Sequence, residues 1–248
     1  MEKEFEGPRT AIVTGGAKRI GAELVRALAA DGWHVLIHYN RSRVEAEALA
    51  AEVGTATLVQ AELGDPDCAE RIMAALDGCP PARLLVNSAS QFRYDSAADF
   101  TLEQWDMHQA VNLRAPALLS QAFADRLEGN GLIVNLLDAK LGAPNPDFFT
   151  YTVSKIGLAG LTELTARAYA PRIRVCGIAP SVTLVSGPQS RENFDSVHRL
   201  NALDRGVEVG HIVAALRFIV GTPTLTGQTI ALDAGQRFLS LPRDVQFF

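Results

Sequence analysis

Seven short apolar runs, separated by longer helix-like stretches, restrict the folds that this chain can adopt. The runs begin at Thr10, Trp33, Thr55, Arg83, Gly131, Arg172 and Gly227. Nearly continuous runs of β-branched and aliphatic residues are typical of strands buried on both faces, as in a parallel sheet. The stretches between them, clearest at 20–31, 44–53, 102–127 and 150–170, carry apolar residues at helical spacing. We therefore expect an α/β fold, with a seven-stranded parallel sheet, right-handed crossovers and helices on both faces.

The alternation continues through the chain without a linker, a repeat or a low-complexity stretch. Residues 1–248 are therefore predicted to form a single Rossmann-type, doubly wound domain. Residues 181–206 break the rhythm, because this largely polar stretch contains Gly187 and Pro188 and follows the sixth run. Ligands bind outside the carboxyl ends of the strands in such sheets. The stretch is therefore predicted to be a mobile substrate lid, with a plain surface excursion as the alternative.

Composition excludes several classes of partner. The formal net charge of -5 argues against a nucleic-acid groove or an anionic membrane as the main partner. The three cysteines form no CxxC pair and the five histidines no HExxH pattern, so free thiols and no metal site are expected. The charged amino terminus lacks the apolar core of a signal peptide, and no apolar run is long enough to span a bilayer. We expect a soluble, cytoplasmic protein.

A glycine-rich turn follows the first run, in the sequence TGGAKRIG at residues 14–21. Glycines between a strand and a helix let the backbone approach a pyrophosphate, which the helix amino terminus then faces with free N–H groups. The predicted cofactor contacts in this turn are Gly15, Lys18, Arg19, Ile20 and Gly21. A tight turn without a ligand is the alternative.

The second run ends in HYNRSR, residues 38–43, and no acidic residue occurs between Asp31 and Glu45. Sites that prefer NAD place an acid here for the ribose 2′-hydroxyl, whereas a 2′-phosphate requires cations and hydroxyls. Arg41 and Ser42, with His38 and Asn40 beside them, are therefore predicted to bind the 2′-phosphate of NADPH; an exposed basic loop is the alternative. After the fourth run, the small residues Asn87, Ser88, Ala89 and Ser90 would leave room for the ribose and the nicotinamide.

Tyr151 and Lys155 are four residues apart on a predicted helix, so they share one face. A tyrosine is a poor acid–base group at neutral pH, and a nearby ammonium favours its phenolate and lowers its pKa. The position of the pair soon after the fifth run, downstream of a phosphate turn, makes it a candidate catalytic pair.

Over residues 10–235 the chain resembles the short-chain dehydrogenase/reductase family, through TGGAKRIG, NSAS, AVNLRAP, YTVSK, RVCGIAP and TGQTIALDAG. The resemblance implies that Tyr151 donates the proton, that Lys155 holds the nicotinamide ribose and lowers the tyrosine pKa, and that Asn112 helps hold a water relay. It implies a homotetramer. It also implies cofactor contacts from Glu62, Asn87, Ser88, Ala89, Pro180, Ser181 and Thr183, although Glu62 stands where an aspartate is common and Ser88 where an asparagine is.

Two departures from the family pattern resemble its pteridine reductase branch, which includes dihydromonapterin reductases. Arg19 stands at a usual glycine, and Asp138 at the usual catalytic serine. Phe92 matches the aromatic residue that stacks on the pterin in that branch. The resemblance implies a pterin substrate held by Arg19, Ser90, Phe92, Asp138, Tyr151 and Leu184.

An ionised Asp138 would oppose the negative charge that develops on oxygen during ketone reduction, whereas reduction of a C=N bond delivers a proton to nitrogen. The sequence therefore favours an imine-type bond. A carbonyl reductase acting on an acyl-carrier ketone or another ketone is the alternative, and a non-catalytic NADPH-sensing protein is a third hypothesis. Asp138 as a capping residue and Phe92 as core filler are the plainer alternatives. The tail ending in Phe247 and Phe248 is predicted either to reach a neighbouring subunit's site or to be disordered.

Overall fold

The computed structural model describes residues 5–186 and 189–248 and contains one parallel sheet. The strands are β1 (Thr10–Val13), β2 (His34–Tyr39), β3 (Ala56–Gln60), β4 (Ala82–Asn87), β5 (Gly131–Leu136), β6 (Ile173–Pro180) and β7 (Thr229–Leu232). Their order in the sheet is β3-β2-β1-β4-β5-β6-β7. Each strand begins within two residues of its predicted run, and the predicted seven-stranded parallel sheet is confirmed.

Helices cover both faces of the sheet. They are α1 (Arg19–Ala30), α2 (Arg43–Val53), α3 (Cys68–Ala74), α4 (Leu102–Gln109), α5 (Ala115–Arg126), α6 (Phe149–Tyr169), α7 (Arg191–Val197) and α8 (Val209–Val220). Buried side chains of α1 and α8 pack on one face, and those of α3 and α5 pack on the other. Among the described residues, no helix is long and apolar enough to cross a membrane.

The long helix predicted over 102–127 is interrupted. Between α4 and α5, residues Ala110–Arg114 form a π-helical turn. Pro116 lies in the first turn of α5 and has no N–H to donate to the carbonyl of Asn112, so the regular hydrogen-bond ladder cannot continue there. Such π turns are frequent at functional sites, and this one carries the buried side chain of Asn112.

A buried polar chain fixes the register of the central strands and of α6. Asn87 on β4 lies opposite Asn135 on β5, and its amide donates to the Asn135 Oδ1 at 2.8 Å. Asn135 in turn donates to the Thr162 Oγ1 of α6 at 2.9 Å. Buried polar groups need such partners, so the strand pairing and the position of α6 along the sheet are set together.

The order of the sheet reverses between β1 and β4, which are neighbours in space. The connections after these two strands leave in opposite directions, and a crevice opens at their carboxyl ends. A cleft of about 840 Å³ lies there and runs from the end of β2 to the segment after β6.

Candidate active site

The cleft brings together most of the residues predicted from the sequence. The predicted residues that line it are Gly15, Lys18, Arg19, Ile20, Gly21, His38, Asn40, Arg41, Ser42, Glu62, Ser88, Ala89, Ser90, Phe92, Asp138, Tyr151, Lys155, Pro180, Ser181, Thr183 and Leu184. Asn87 and Asn112 do not line it, because both side chains are buried behind the wall. The Asn87 amide pairs with Asn135, and contact of Asn87 with a cofactor stays a prediction.

The turn after β1 requires its glycines. Gly15 has a φ of 62°, and a Cβ built there would lie 3.0 Å from the Ala89 Cα. A Cβ on Gly21 would lie 2.2 Å from the Gly15 carbonyl oxygen. The His38 Nδ1 accepts from the Gly15 N–H at 3.1 Å and its Nε2 lies 3.0 Å from the Ala61 carbonyl oxygen, so the proton is on Nε2. His38 thus holds the turn in place through its bond to Gly15. Burial lowers the pKa of His38 and favours this neutral form.

Arg19 begins α1 with a φ of 55°, the left-handed region that favours glycine. An L side chain pays about 1–2 kcal/mol for this conformation, and strain of this kind is found mainly at functional sites. The guanidinium is exposed in the cleft, where the Arg19 Nη1 donates to the Val185 carbonyl oxygen at 2.8 Å. This contact ties the phosphate turn to the segment predicted as the lid.

At the far end of the cleft, Asn40, Arg41 and Ser42 follow β2 as predicted. The Arg41 side chain is exposed, and Ser42 is the residue before the first turn of α2. Glu62 accepts a hydrogen bond from the Asn40 amide. Lys18 is in a half-exposed ion pair with Glu45, and its contact with phosphates stays a prediction.

Tyr151, Asp138 and Lys155 converge where β5 ends and α6 begins. The Tyr151 hydroxyl donates to the Asp138 Oδ2 at 2.6 Å, and the Asp138 Oδ1 accepts from the Lys140 N–H at 2.8 Å. Asp138 therefore caps the short 3-10 helix that follows it and also contacts the phenol. Its part in catalysis stays a prediction. The Lys155 Nζ donates to the Leu136 carbonyl oxygen at 2.7 Å and lies 5.7 Å from the centre of the Tyr151 ring.

The electrostatics of this triad differ from the expectation that Lys155 lowers the tyrosine pKa. Burial, then the negative charge of Asp138 and the hydrogen bond to it, raise the pKa of Tyr151 well above its ordinary value. Burial also raises the pKa of Asp138, although the bonds from Tyr151 and Lys140 and the charge of Lys155 oppose it. Burial lowers the pKa of Lys155 to about 8, against the opposing charge of Asp138. Tyr151 is thus held protonated, as a donor.

Asn112 makes four hydrogen bonds within the protein. Its Oδ1 accepts from the Gln91 N–H at 2.8 Å and from the Ser90 hydroxyl at 3.2 Å. Its Nδ2 donates to the Gln91 carbonyl and to the Ser154 hydroxyl, each at 3.0 Å. The side chain therefore fixes the segment after β4 against α6, while its part in a water relay stays a prediction.

Phe92 lies at the edge of the triad and is only partly buried. Its ring stacks on Phe148 at 4.2 Å and meets the Tyr151 ring edge-on at 4.8 Å. Phe148, with a φ of 54°, is fully buried and covers one face of Phe92. Phe92 thus packs in an aromatic cluster and also lines the cleft, where stacking on a pterin stays a prediction.

A buried network that the sequence did not reveal supports the Phe92 loop. The His108 Nε2 accepts from the Arg93 N–H at 3.2 Å, and its Nδ1 lies 2.6 Å from the Thr150 Oγ1. The Thr150 hydroxyl in turn donates to Asp95, whose other oxygen accepts from the Thr150 N–H at 3.0 Å. Nothing in the spacing of these residues signals the network, because it joins segments that are 15 to 55 residues apart.

The two remaining walls come from the predicted lid and from the end of the chain. Leu184, Ser186 and Gln189 line the cleft, and α7 lies within the lid; Gly187 and Pro188 are outside the described residues. Leu241, Asp244, Val245 and Gln246, near the end of the chain, line the same cleft. In the ranges that the structure describes, no three His, Cys, Asp or Glu side chains are grouped as in a metal site.

Comparison with known proteins places this geometry in a family. The short chain dehydrogenase model matches residues 9–194. A solved structure of FolM alternative dihydrofolate reductase 1 from Brucella canis, complexed with NADP, is 39% identical with a TM-score of 0.90, over 96% of this chain and 97% of that one. L-xylulose reductase from Mesocricetus auratus is 30% identical, and 3-oxoacyl-[acyl-carrier-protein] reductase from Synechocystis sp. is 28% identical; each match covers 92% of this chain and 96% of the relative. The chain is therefore a member of the short-chain dehydrogenase family.

Proposed function

We propose that this protein is an NADPH-dependent reductase that transfers hydride to a C=N bond of a pterin, with dihydromonapterin, dihydrobiopterin and dihydrofolate as the candidate substrates. The observation that carries the proposal is the 2.6 Å hydrogen bond from the Tyr151 hydroxyl to Asp138, at the position where a serine is usual. The similarity to the FolM alternative dihydrofolate reductase of Brucella canis supports it. We also expect a cytoplasmic homotetramer.

The cofactor assignment rests on the two ends of the glycine turn. A Cβ at Gly21 would collide with the Gly15 carbonyl oxygen and one at Gly15 would crowd Ala89, so this turn can form only with glycine at these positions. Such a turn lets the backbone approach a pyrophosphate. At the end of β2, Arg41 and Ser42 offer a cation and a hydroxyl suited to a 2′-phosphate, and no acid occurs there between Asp31 and Glu45. When bound, the reduced nicotinamide would supply the hydride, and Lys155 would hold its ribose.

The Tyr151–Asp138 pair is suited to giving a proton to nitrogen. With Asp138 protonated the pair is neutral, and burial favours that state by raising the pKa of Asp138. After one proton leaves, the remaining charge is a carboxylate that accepts the Tyr151 hydroxyl, the bond that the structure contains. A general acid works best when its pKa lies near the working pH, so a raised carboxyl is a better donor here than a tyrosine alone.

Carbonyl reduction is the second candidate function, favoured by the similarity to L-xylulose reductase and 3-oxoacyl-[acyl-carrier-protein] reductase. A ketone oxygen gains negative charge before it is protonated, and a neutral hydroxyl stabilises that charge better than a carboxylate. Above its pKa the Asp138 carboxylate opposes that charge, but below it the neutral acid does not, so the comparison of substrates has to separate the two candidate functions.

The test follows NADPH absorbance with dihydropterins, dihydrofolate and a ketone panel, in the wild type and in Asp138→Ser. We expect wild-type turnover of a dihydropterin. The variant should lose about 10²–10⁴-fold in kcat for that substrate, the usual contribution of a positioned general acid, without a matching loss on ketones. Ketones that are the better substrates of the wild type, or an equal loss on both substrate classes, would refute the pterin assignment.

A further inference from the structure

The tail, residues 243–248, is attached to the substrate side of the cleft. Asp147 lies just before α6 with 5% of its side chain exposed, and Arg243 makes a bidentate bond to it with both distances 2.8 Å. The Asp244 N–H also donates to the Asp147 Oδ2 at 2.8 Å. Burial opposes ionisation of Asp147, but these partners outweigh it and lower its pKa.

Aromatic and apolar contacts hold the rest of the tail. The Phe247 ring packs on Tyr94 at 5.4 Å and on Phe148 at 6.4 Å, and the Arg243 guanidinium lies 4.5 Å from its centre. Val245 is buried. Because Phe148 also stacks on Phe92, the tail is continuous with the wall expected to contact the substrate.

This attachment places two opposite charges beside the proton-donating pair. The Lys140 side chain is 8% exposed, and its Nζ lies 3.3 Å from the Asp244 Oδ2 while also donating to the Asp147 carbonyl. Asp244 and Lys140 both line the cleft. Burial is the main cause that raises the pKa of Asp138 and of Tyr151, and the negative charge of Asp244 adds the smallest contribution in the same direction.

We propose that the tail forms the substrate-side wall of its own subunit's cleft, and that Asp244, held by Lys140 and by the Arg243–Asp147 ion pair, keeps the Tyr151–Asp138 pair in its proton-donating state. The proposal rests on the proposed reaction, and Asp244 acts in it as a positioning residue. Lys140 limits the effect of Asp244 by pairing with it, so the two residues tune the donor in opposite directions.

Other charged or titratable groups also face the pair. Lys155 approaches from α6, and His108 lies 6.1 Å from the Tyr151 ring on the α4 side. Burial lowers the pKa of His108, so it is neutral near pH 7 and adds no charge. The cleft is also lined by Arg19, Arg93 and Arg237. All of these remain in place when only Asp244 or Lys140 is changed.

The experiment compares pH profiles of kcat for Asp244→Asn and Lys140→Gln with the wild type. Activity should fall as pH rises through the pKa of the donor. This fall is called the alkaline limb of the profile. Loss of the Asp244 charge should shift the alkaline limb to lower pH by about 0.5–1 unit, as expected for a single nearby charge. Loss of the Lys140 charge should move it up. Glu128→Gln removes an exposed charge before β5 and should leave the limb unchanged.

Arg243→Gln tests the attachment itself. We expect it to raise the KM for the substrate at least tenfold and to leave the dissociation constant of NADPH within twofold. Limbs that stay in place, or that move in the same direction in both charge variants, would refute the role of Asp244, because general damage cannot produce opposite shifts. An unchanged KM in Arg243→Gln would refute the wall.

A second measurement separates this inference from the proposed function. The carboxyl of Asp138 can be titrated by ¹³C NMR in the wild type and in the two charge variants, with Asp138→Asn identifying its signal. Opposite shifts of that titration support the inference even if no dihydropterin is turned over, which would refute only the proposed function. An Asp138 titration that neither variant moves would refute the inference while leaving the reductase assignment intact.

Discussion

Lys155→Met should uncouple the stability of this protein from its activity. Lys155 is 3% exposed, and burial lowers its pKa from 10.5 to about 8 in the folded protein. Below pH 8 both the folded and the unfolded chain carry the proton, so folding has to bury a charge. Between pH 8 and 10.5 only the unfolded chain holds the proton, and the free energy of unfolding rises with pH.

The size of the effect follows from the two pKa values. A difference of 2.5 units, from 10.5 to about 8, is a penalty of about 3 kcal/mol below pH 8. Of that penalty, about 2 kcal/mol is removed between pH 7 and pH 9.5. Methionine carries no charge and removes the whole penalty. It also leaves the Leu136 carbonyl without its partner, at a cost of about 1–3 kcal/mol. The variant should therefore be as stable as the wild type at pH 7, or up to about 2 kcal/mol more stable.

Urea denaturation of the cofactor-free proteins at pH 7 and pH 9.5, at one fixed protein concentration, measures both quantities. The wild type should gain about 2 kcal/mol relative to Lys155→Met over this interval, and the variant should show no turnover. Parallel pH dependences of the two proteins would refute the lowered pKa of Lys155. A variant that is several kcal/mol less stable at pH 7 would refute the idea that the lysine is retained for chemistry at the expense of stability.

Two further substitutions test the cofactor end of the cleft. Arg19→Gly relieves a left-handed strain of about 1–2 kcal/mol, partly offset by the entropy of glycine in the unfolded chain. The thermal midpoint should stay equal or rise by about 3 °C, while the KM for the dihydropterin rises about tenfold or more; a lower midpoint with an unchanged KM would contradict this. Arg41→Ala should weaken NADPH binding about tenfold by loss of a phosphate partner, with little change for NADH. Arg43→Ala, two residues on and paired with Glu47, is the matched control, and equal losses in both variants would contradict the assignment to Arg41.

The sheet and the glycine turn after β1 could be predicted because their causes are local. A strand buried on both faces has to be apolar along its whole length, and every strand begins within two residues of its predicted run. Gly15 and Gly21 occupy positions where a Cβ would collide with the backbone, so their place in the sequence carries the geometry. Helical periodicity predicted one long helix over 102–127 but not the π turn within it. That turn forms because Pro116 lacks the N–H that would continue the regular hydrogen bonds.

The parts that escaped prediction depend on contacts between distant segments. Arg243 and Asp147 are 96 residues apart, and nothing around either residue indicates that the other is its partner. The same holds for His108 and Thr150. The sequence also does not show that the pKa of Tyr151 is raised. Its spacing from Lys155 predicts an ammonium beside the phenol, whereas the Lys155 ammonium donates to the Leu136 carbonyl oxygen. Sequence spacing places two side chains on one helix face without showing which atoms they meet.

The buried polar chain from Asn87 through Asn135 to Thr162 also affects the position of Tyr151, which lies on the same helix as Thr162. Thr162 is 11 residues beyond Tyr151 on α6, about 16 Å along the axis. A slide of that helix by a single turn, about 5.4 Å, would carry the phenol out of reach of the Asp138 carboxylate, which follows the end of β5. These three buried, uncharged side chains therefore set the position of Tyr151 relative to Asp138, although none of them lines the cleft.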